Sequence, residues 1–424
     1  MNLDFLGGLR VVESSAFIAA PLAGMTLAQF GADVIRIDMI GGGIDYQRMP
    51  VMEQGRSLYW TGLNKGKRSF AVDIRSGEGR ELVQALVTER APAGGVLLTN
   101  IGVPWLSHAV LAERRADVIT CTIEGSSDGR NAVDYTVNCA SGFPAITGRG
   151  SAQRPVNHVL PAWDLACAYQ AAFAVAAAGW RRASTGRGAE LRLALSDVAF
   201  STLSHLGMLA EAELLHRDRP SLGNDLYGAF GRDFGTADGK RLFVAAISLG
   251  QWRSLVQACE LGADVDRLQR ELGVDLAREE ERHAARARIA QLLEPWFAAR
   301  SLAQAARVLD ANSVCWGPYQ TVREALANDA RVSDRNPVFE RLDTVGVGPH
   351  LAAGTPVREQ GLARGATPPA PLLGQHTDEI LLEVLGLGSA AVGELHDRGI
   401  VAGPERDPLA GRQAGAAAFE GRAP

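Results

Sequence analysis

The side chain whose placement most invites chemistry is Asp164. It follows Pro161 and opens a long apolar stretch with helical character, running to about Arg182 and stopping before Gly186. Its carboxylate therefore falls where free backbone N–H groups and the positive end of a helix dipole favour the ionised form. Two roles fit such a residue. It can cap the helix, or it can act as a nucleophile, with the same N–H groups available to a tetrahedral oxyanion. Other reactive residue types offer less. Five cysteines (Cys121, Cys139, Cys167, Cys259, Cys315) are scattered without a CxxC pair. That argues for reduced thiols in the cytoplasm rather than a disulfide framework or zinc site. The eight histidines show no HExxH or similar spacing, so no metal is expected.

The elements that must position this carboxylate begin with a β-α-β unit. Leu9 to Glu13 reads as a strand, Pro21 to Phe30 has helical periodicity, and Ala32 to Asp38 is a second strand. A parallel, right-handed crossover and an α/β domain follow. Arg68 to Ile74, Gly95 to Thr99 and Asp117 to Ile123 continue the strands, with a helix at Gly77 to Thr88. Ligands gather at the carboxyl ends of such strands, which points to the loops after Asp38, Ile74, Thr99 and Ile123. The first turn, SSAFIAAP, lacks GxGxxG, so a dinucleotide site loses its main support. Gly41 to Gly43 serves either as a flexible loop or for close backbone approach to a ligand. Glu190 to Leu195 alternates like a half-buried strand, and Ser196 or Asp197 is expected to cap a helix running through Leu215.

From HRDRPSLGND onward the character changes. Asp238-Gly239 marks a hairpin turn, and charged amphipathic helices are expected around Ala277 to Leu293 and Ser301 to Ala311. A proline- and glycine-rich passage, Asn336 to Pro371, leads to a last helix at Asp378 to Leu385. The expected organisation is a large α/β domain over 1–215, a linker at 216–224, a smaller α+β domain over 225–330, and a linker plus returning part of the large domain over 331–403. Residues 404–424, rich in Gly, Ala and Arg, are expected to be disordered. The net charge of −5 over 424 residues supplies no global basic field for nucleic acid or anionic lipid. The start, MNLDFLGGLRVVE, does not read as a signal peptide. The longest apolar stretch, Leu165 to Trp180, is Ala-rich, interrupted by Gln170 and short for a membrane span.

Several phrases then stand in a telling order: GLRVVESSAFIAAPLAGMTLAQFGADVIRID, NKGKRSFAVDI, the Thr99-Asn100 strand end, the Asp164 helix start, and PLLGQHTDEILLEVLGL. Together they resemble the family III CoA-transferases, over roughly residues 7 to 400. That resemblance implies a Rossmann-like large domain built from N- and C-terminal parts, a smaller α+β domain, and a homodimer interlocked like two chain links. It implies Asp164 as the covalent nucleophile and coenzyme A as part of the substrate, with no permanently bound cofactor. GGGIDYQR, GLNKGKRS, VDYTVN, VNHVLPAWD, YGAFGRDF and LHDRGIVAG resemble the branch that moves CoA within one molecule, from the C1 to the C4 carboxyl of mesaconate, in glyoxylate assimilation of the 3-hydroxypropionate type. The alternatives are transfer between separate carboxylic acids, racemisation of an acyl-CoA, or CoA binding without catalysis. Racemases of the family use a histidine where Val133 stands here, and an apolar side chain cannot relay a proton.

By the same resemblance Phe17, Ala19, Val72, Arg75, Asn100 and Ile101 fall at CoA-contacting positions, and Arg75 suits a phosphate. The family often carries a basic residue after Asp38, where this chain has Met39. Candidates for the free carboxylate of a mesaconyl group are Arg48, Tyr135, His158 and Arg232, while Tyr227 and Gly228 resemble a loop that approaches the site in related transferases.

Overall fold

A computed structural model describes residues 3–410 apart from 150, 152, 363 and 364. The chain divides into two compact units, one made of residues 1–137, 160–208 and 330–424, the other of residues 138–159 and 209–329. The second unit thus takes in 138–159 and 209–215, which the sequence reading puts with the large domain.

The first unit is organised by a seven-stranded sheet. Its leading strands are β1 (Arg10–Ser14), β2 (Asp33–Asp38), β3 (Arg68–Val72), β4 (Val96–Thr99), β5 (Ile119–Glu124) and β6 (Ala189–Ala194). The order across the sheet is Val401–Ala402, β3, β2, β1, β4, β5, β6. All neighbours are parallel except Val401–Ala402, which runs antiparallel to β3. The central strands carry Val, Ile and Leu on both faces because helices cover both. Val12, Ile35, Phe70, Val72 and Leu97 form one continuous core with Val83, Leu86 and the returning Ile380, Leu381 and Val401.

The helices that matter for the site are α1 (Ala19–Gln29), α2 (Leu58–Leu63), α3 (Gly77–Val87), α4 (His108–Arg114), α5 (Asp134–Ala140), α6 (Ala162–Thr185) and α7 (Leu195–His205). α1 packs along α6 through small buried residues: Ala20, Ala23, Gly24 and Ala28 on one, Ala168, Ala171 and Ala172 on the other. Gly24 is required, since a Cβ there would come within 1.7 Å of the Glu13 carboxylate. α6 ends where Gly186 turns left-handed at φ 70° and its N–H closes on the Arg182 carbonyl. The helix expected through Leu215 instead breaks at Gly207, φ 71°, and resumes at Met208–Leu215. Neither Ser196 nor Asp197 caps α7; its N-cap position is Ala194, with no side-chain cap. Both side chains bind Ser127 across the turn instead.

Charges are buried beneath the first turn. Arg36 reaches Glu13 at 3.3 Å, Asp38 at 2.8 Å and Asp45 at 3.3 Å. Lys67 Nζ donates to Glu13 Oε1, the Pro21 carbonyl and Asn64 Oδ1, each at 2.8 Å. Burial pushes the Lys67 amine down to about 8 although Glu13 opposes it. Removing one member strands the others without compensation, which costs about 3–5 kcal/mol. Lys67→Met is expected to lose about that much in urea unfolding, and a loss below about 1 kcal/mol would contradict the network's role.

The C-terminal stretch returns to this unit. Thr377 Oγ1 and His376 Nδ1 accept from the backbone N–H groups of Ala71 and Ser69 on β3, so these residues dock the segment rather than cap a helix. The expected last helix is Thr377–Glu379 followed by a wider turn over Ile380–Val384, with a further helix at Ser389–Asp397. Residues 404–410 of the expected disordered tail are built into the fold. Buried Asp407 accepts from Tyr46 Oη at 2.6 Å and from the N–H groups of Leu373 and Leu409, both at 2.8 Å. Residues 411–424 lie outside the described residues.

The second unit is α+β. A three-stranded antiparallel sheet, Phe230–Gly235, Arg241–Ala246 and Cys315–Pro318, packs on helices through Phe230, Phe234, Leu255, Ile289, Leu293 and Phe297. Asp238-Gly239 makes the expected hairpin turn. The helix expected over Ala277 to Leu293 is two, Glu279–Ala284 and Arg286–Ala298.

Candidate active site around Asp164

Asp164 is the third residue of α6 and does not cap it. The cap comes from thirty residues upstream. Asp134, first residue of α5, is buried, and its Oδ2 accepts from the N–H groups of Trp163 at 2.7 Å and Asp164 at 3.0 Å. The N–H groups expected to favour an ionised Asp164 are therefore committed to another carboxylate. Among the described residues the Asp164 carboxylate has no cation beside it. Burial, reinforced by the Asp134 charge, pushes its pKa up to about 7. The direction is opposite to the sequence-based expectation. The physical reason is burial first, with a second carboxylate both taking the donors and adding its charge.

Around Asp164 stand groups from other elements. Tyr59, on α2, is pushed up to about 12 by burial; Arg48 opposes that shift, while Asp164, Asp45 and Tyr135 add to it. Tyr59 thus feels the charge of each of these side chains. Arg48 is exposed, with its guanidinium 5.3 Å from the Phe17 ring centre and 5.2 Å from that of Tyr59. It is a cation between two aromatic faces, and among the described residues it has no carboxylate partner. Sequence reasoning missed Tyr59 and Asp134, although Asp134 lies within VDYTVN, beside Tyr135, and Tyr59 stands three residues before GLNKGKRS.

The first turn, after β1, is held from both sides. The Asn100 amide donates to the Ala16 carbonyl at 2.7 Å, and its oxygen accepts from the Ala16 N–H at 2.9 Å. Phe17 has φ 67°, a left-handed conformation costing about 1–3 kcal/mol for a residue with a side chain. Its N–H donates to Asp45 Oδ2 at 3.1 Å, and Arg36 anchors Asp45. The buried charges thus maintain strain at the carboxyl end of a parallel strand, the edge at which α/β sheets gather ligands. Gly42, φ 98°, gives the same loop room to fold over Tyr46; a Cβ would sit 2.8 Å from that ring.

The remaining expected CoA contacts divide. Phe17 and Ile101 are exposed at adjacent strand ends, and Ala19 is buried as the first residue of α1. Asn100 sits at its expected strand end, but both polar atoms of its side chain are spent on Ala16. Val72 is fully buried in the core, so its side chain offers a ligand no surface. Arg75 is exposed and paired with Asp73 at 2.8 Å. His158, Tyr227, Gly228 and Arg232 belong to the second unit. There the Tyr227 hydroxyl donates to Glu211 at 2.7 Å, Arg232 lies 3.7 Å from Asp225, and Gly228 has φ 81°.

A Rossmann-like first unit, a solitary raised carboxylate at a helix start, and a strained first turn can be compared with known proteins. Residues 6–377 match CoA-transferase family III. The chain belongs to that family. It is 50% identical over 403 residues, 95% of this chain and 98% of the other, to a 2-methylfumaryl-CoA isomerase of Chloroflexus aurantiacus. It is 26% identical over 95% of its length, and 98% of the other's, to a formyl-CoA:oxalate CoA-transferase of Rhodopseudomonas palustris. A solved CAIB/BAIF family protein from Brucella suis superposes with a TM-score of 0.73 at 25% identity, covering 91% of this chain and 100% of that one. The family confirms the mixed α/β fold read from the strand pattern. Among the described residues, no helix is long and apolar enough to cross a membrane.

Proposed function

We propose that this family III enzyme transfers CoA intramolecularly, converting 2-methylfumaryl-CoA (mesaconyl-C1-CoA) into 3-methylfumaryl-CoA (mesaconyl-C4-CoA). Asp164 attacks the C1 thioester carbonyl; the C–S bond breaks, CoA thiolate leaves, and an aspartyl–mesaconyl anhydride forms. The thiolate attacks the aspartyl carbonyl of that anhydride, giving an aspartyl-CoA thioester and mesaconate dianion. The C4 carboxylate then attacks the aspartyl thioester and expels thiolate. Thiolate attack at C4 completes the product and restores the Asp164 carboxylate. No net proton or electron is consumed, and CoA enters as part of the substrate.

One observation carries the chemistry: a half-buried carboxylate in the first turn of a helix, with no ion partner among the described residues and raised to about 7. The likeness to the Chloroflexus isomerase over nearly the whole chain supports the choice of substrate. Arg48 fits the free carboxylate, because its guanidinium lies over two rings and, among the described residues, has no carboxylate partner. Phe17 and Ile101, exposed at adjacent strand ends, are the CoA contacts we retain; Ala19, like Val72, is buried and offers a ligand no side-chain surface. Five unpaired cysteines accord with a cytoplasmic enzyme, and the family fold with a homodimer. The deciding experiment supplies mesaconyl-C1-CoA alone and follows the products by chromatography and mass spectrometry. Appearance of the C4 isomer without added acid supports the reading; a strict requirement for added acid replaces it with transfer between separate acids.

The raised pKa gives a pH prediction. Only ionised Asp164 attacks, and its protonated fraction grows as pH falls through about 7. On this account kcat/KM for the C1 isomer rises about tenfold per pH unit below 7 and levels off above it. A profile flat down to pH 5 would contradict it.

A further inference from the structure

We propose that Asp134 is a positioning residue for Asp164: its carboxylate fixes the first turn of α6 and keeps a second negative charge beside the nucleophile. The proposal rests on the reading of Asp164 as nucleophile. Three observations carry it. Asp134 Oδ2 binds the backbone N–H of Asp164 itself, at 3.0 Å, as well as that of Trp163. α6 has no cap of its own, since Pro161 occupies the N-cap position and supplies no side-chain acceptor. The other oxygen, Oδ1, is buried with no hydrogen-bond partner among the described residues, an arrangement that capping alone does not explain, because such a group is costly to bury. A serine or threonine would cap the turn without burying a charge. What a carboxylate adds is the field at Asp164.

Among the described residues, the titratable groups that face Asp164 are few. Asp134 comes from α5, Tyr59 from α2, and Cys167 lies along α6 itself. The Arg48 guanidinium lies over the Tyr59 ring, 5.2 Å from its centre. Tyr59 and Cys167 are both pushed up to about 12, so neither changes charge near neutrality. The acid limb of a pH profile therefore reports Asp164 in the field of Asp134.

Two substitutions separate position from charge. Asp134→Asn keeps an oxygen that can accept both N–H groups but removes the charge. Its acid limb of kcat/KM is expected to move to lower pH by about one unit. Asp134→Ala removes both contributions. Its kcat is expected to fall about 100-fold with KM within about twofold, as for a nucleophile displaced by about 1 Å. If the alanine variant does not fold, the asparagine variant alone decides. A limb left at the wild-type pH in Asp134→Asn overturns the proposal, as does wild-type kcat in a folded Asp134→Ala. A merely structural residue would lower thermal stability in both without moving the limb. Covalent labelling of Asp164 in the same wild-type preparation separates this from the parent reading. Labelled Asp164 with an unmoved limb removes only the role of Asp134, whereas unlabelled Asp164 removes the nucleophile itself.

Discussion

Asp164→Ala is expected to lower isomer formation by about 10⁵-fold or more, as removal of a covalent nucleophile does. The variant should remain folded, and the ionisation of Asp164 says why. Its pKa is raised from 3.8 to about 7, so between those values the folded chain holds more protons than the unfolded one. Stability contributed by this residue therefore falls as pH rises from about 4 to about 7, and the deficit persists above 7. Removing the carboxylate removes that deficit. The unfolding temperature of Asp164→Ala at pH 8 should equal or exceed that of the wild type, tying the lost turnover to chemistry. Substantial activity in the folded variant would defeat the mechanism.

Arg48→Met is expected to change what the enzyme releases, as well as how fast it works. In the proposed sequence, free mesaconate exists within the site between two acyl-enzyme states, and it must turn rather than leave. With Arg48 gone, one charge-assisted hydrogen-bonding partner is lost, worth about 10–100-fold in kcat/KM. Free mesaconate should then accumulate alongside the C4 isomer, and added mesaconate should partly restore product. Arg48→Lys keeps the charge but loses the flat fork that lies between Phe17 and Tyr59, so it should fall between the two. Product without leakage and with unchanged kcat/KM in Arg48→Met would remove the arginine from the site.

These expectations depend on contacts that differ in how far they could be read from the chain. The strands from β1 to β5 were legible to within one or two residues. Their Val, Ile and Leu runs are buried on both faces, and Gly or charged residues bound them. The start and end of α6 were legible too, from Pro161 and Gly186. Local pattern gave less for Val401–Ala402, a two-residue strand whose existence depends on β3 being beside it. The helices Leu249–Ala258 and Gly262–Leu272 also went unassigned.

At the site, Asp164 stood out because its helix position is local information. Its ionisation did not. That shift comes first from burial and then from Asp134, thirty residues away, whose carboxylate reaches the same N–H groups only once α5 and α6 are brought together. Val72 shows the same limit from the other side: its strand was right, yet the core claims its side chain. Asn100 sits at the expected strand end, but the first turn consumes its amide.

The most direct test traps the acyl-enzyme. During turnover of mesaconyl-C1-CoA, borohydride should reduce the aspartyl-CoA thioester, and peptide mass spectrometry should find the change at Asp164 and nowhere else. Hydroxylamine should mark the same position as a hydroxamate. Sustained isomer formation with Asp164 unmodified under both reagents would contradict a covalent role for this carboxylate.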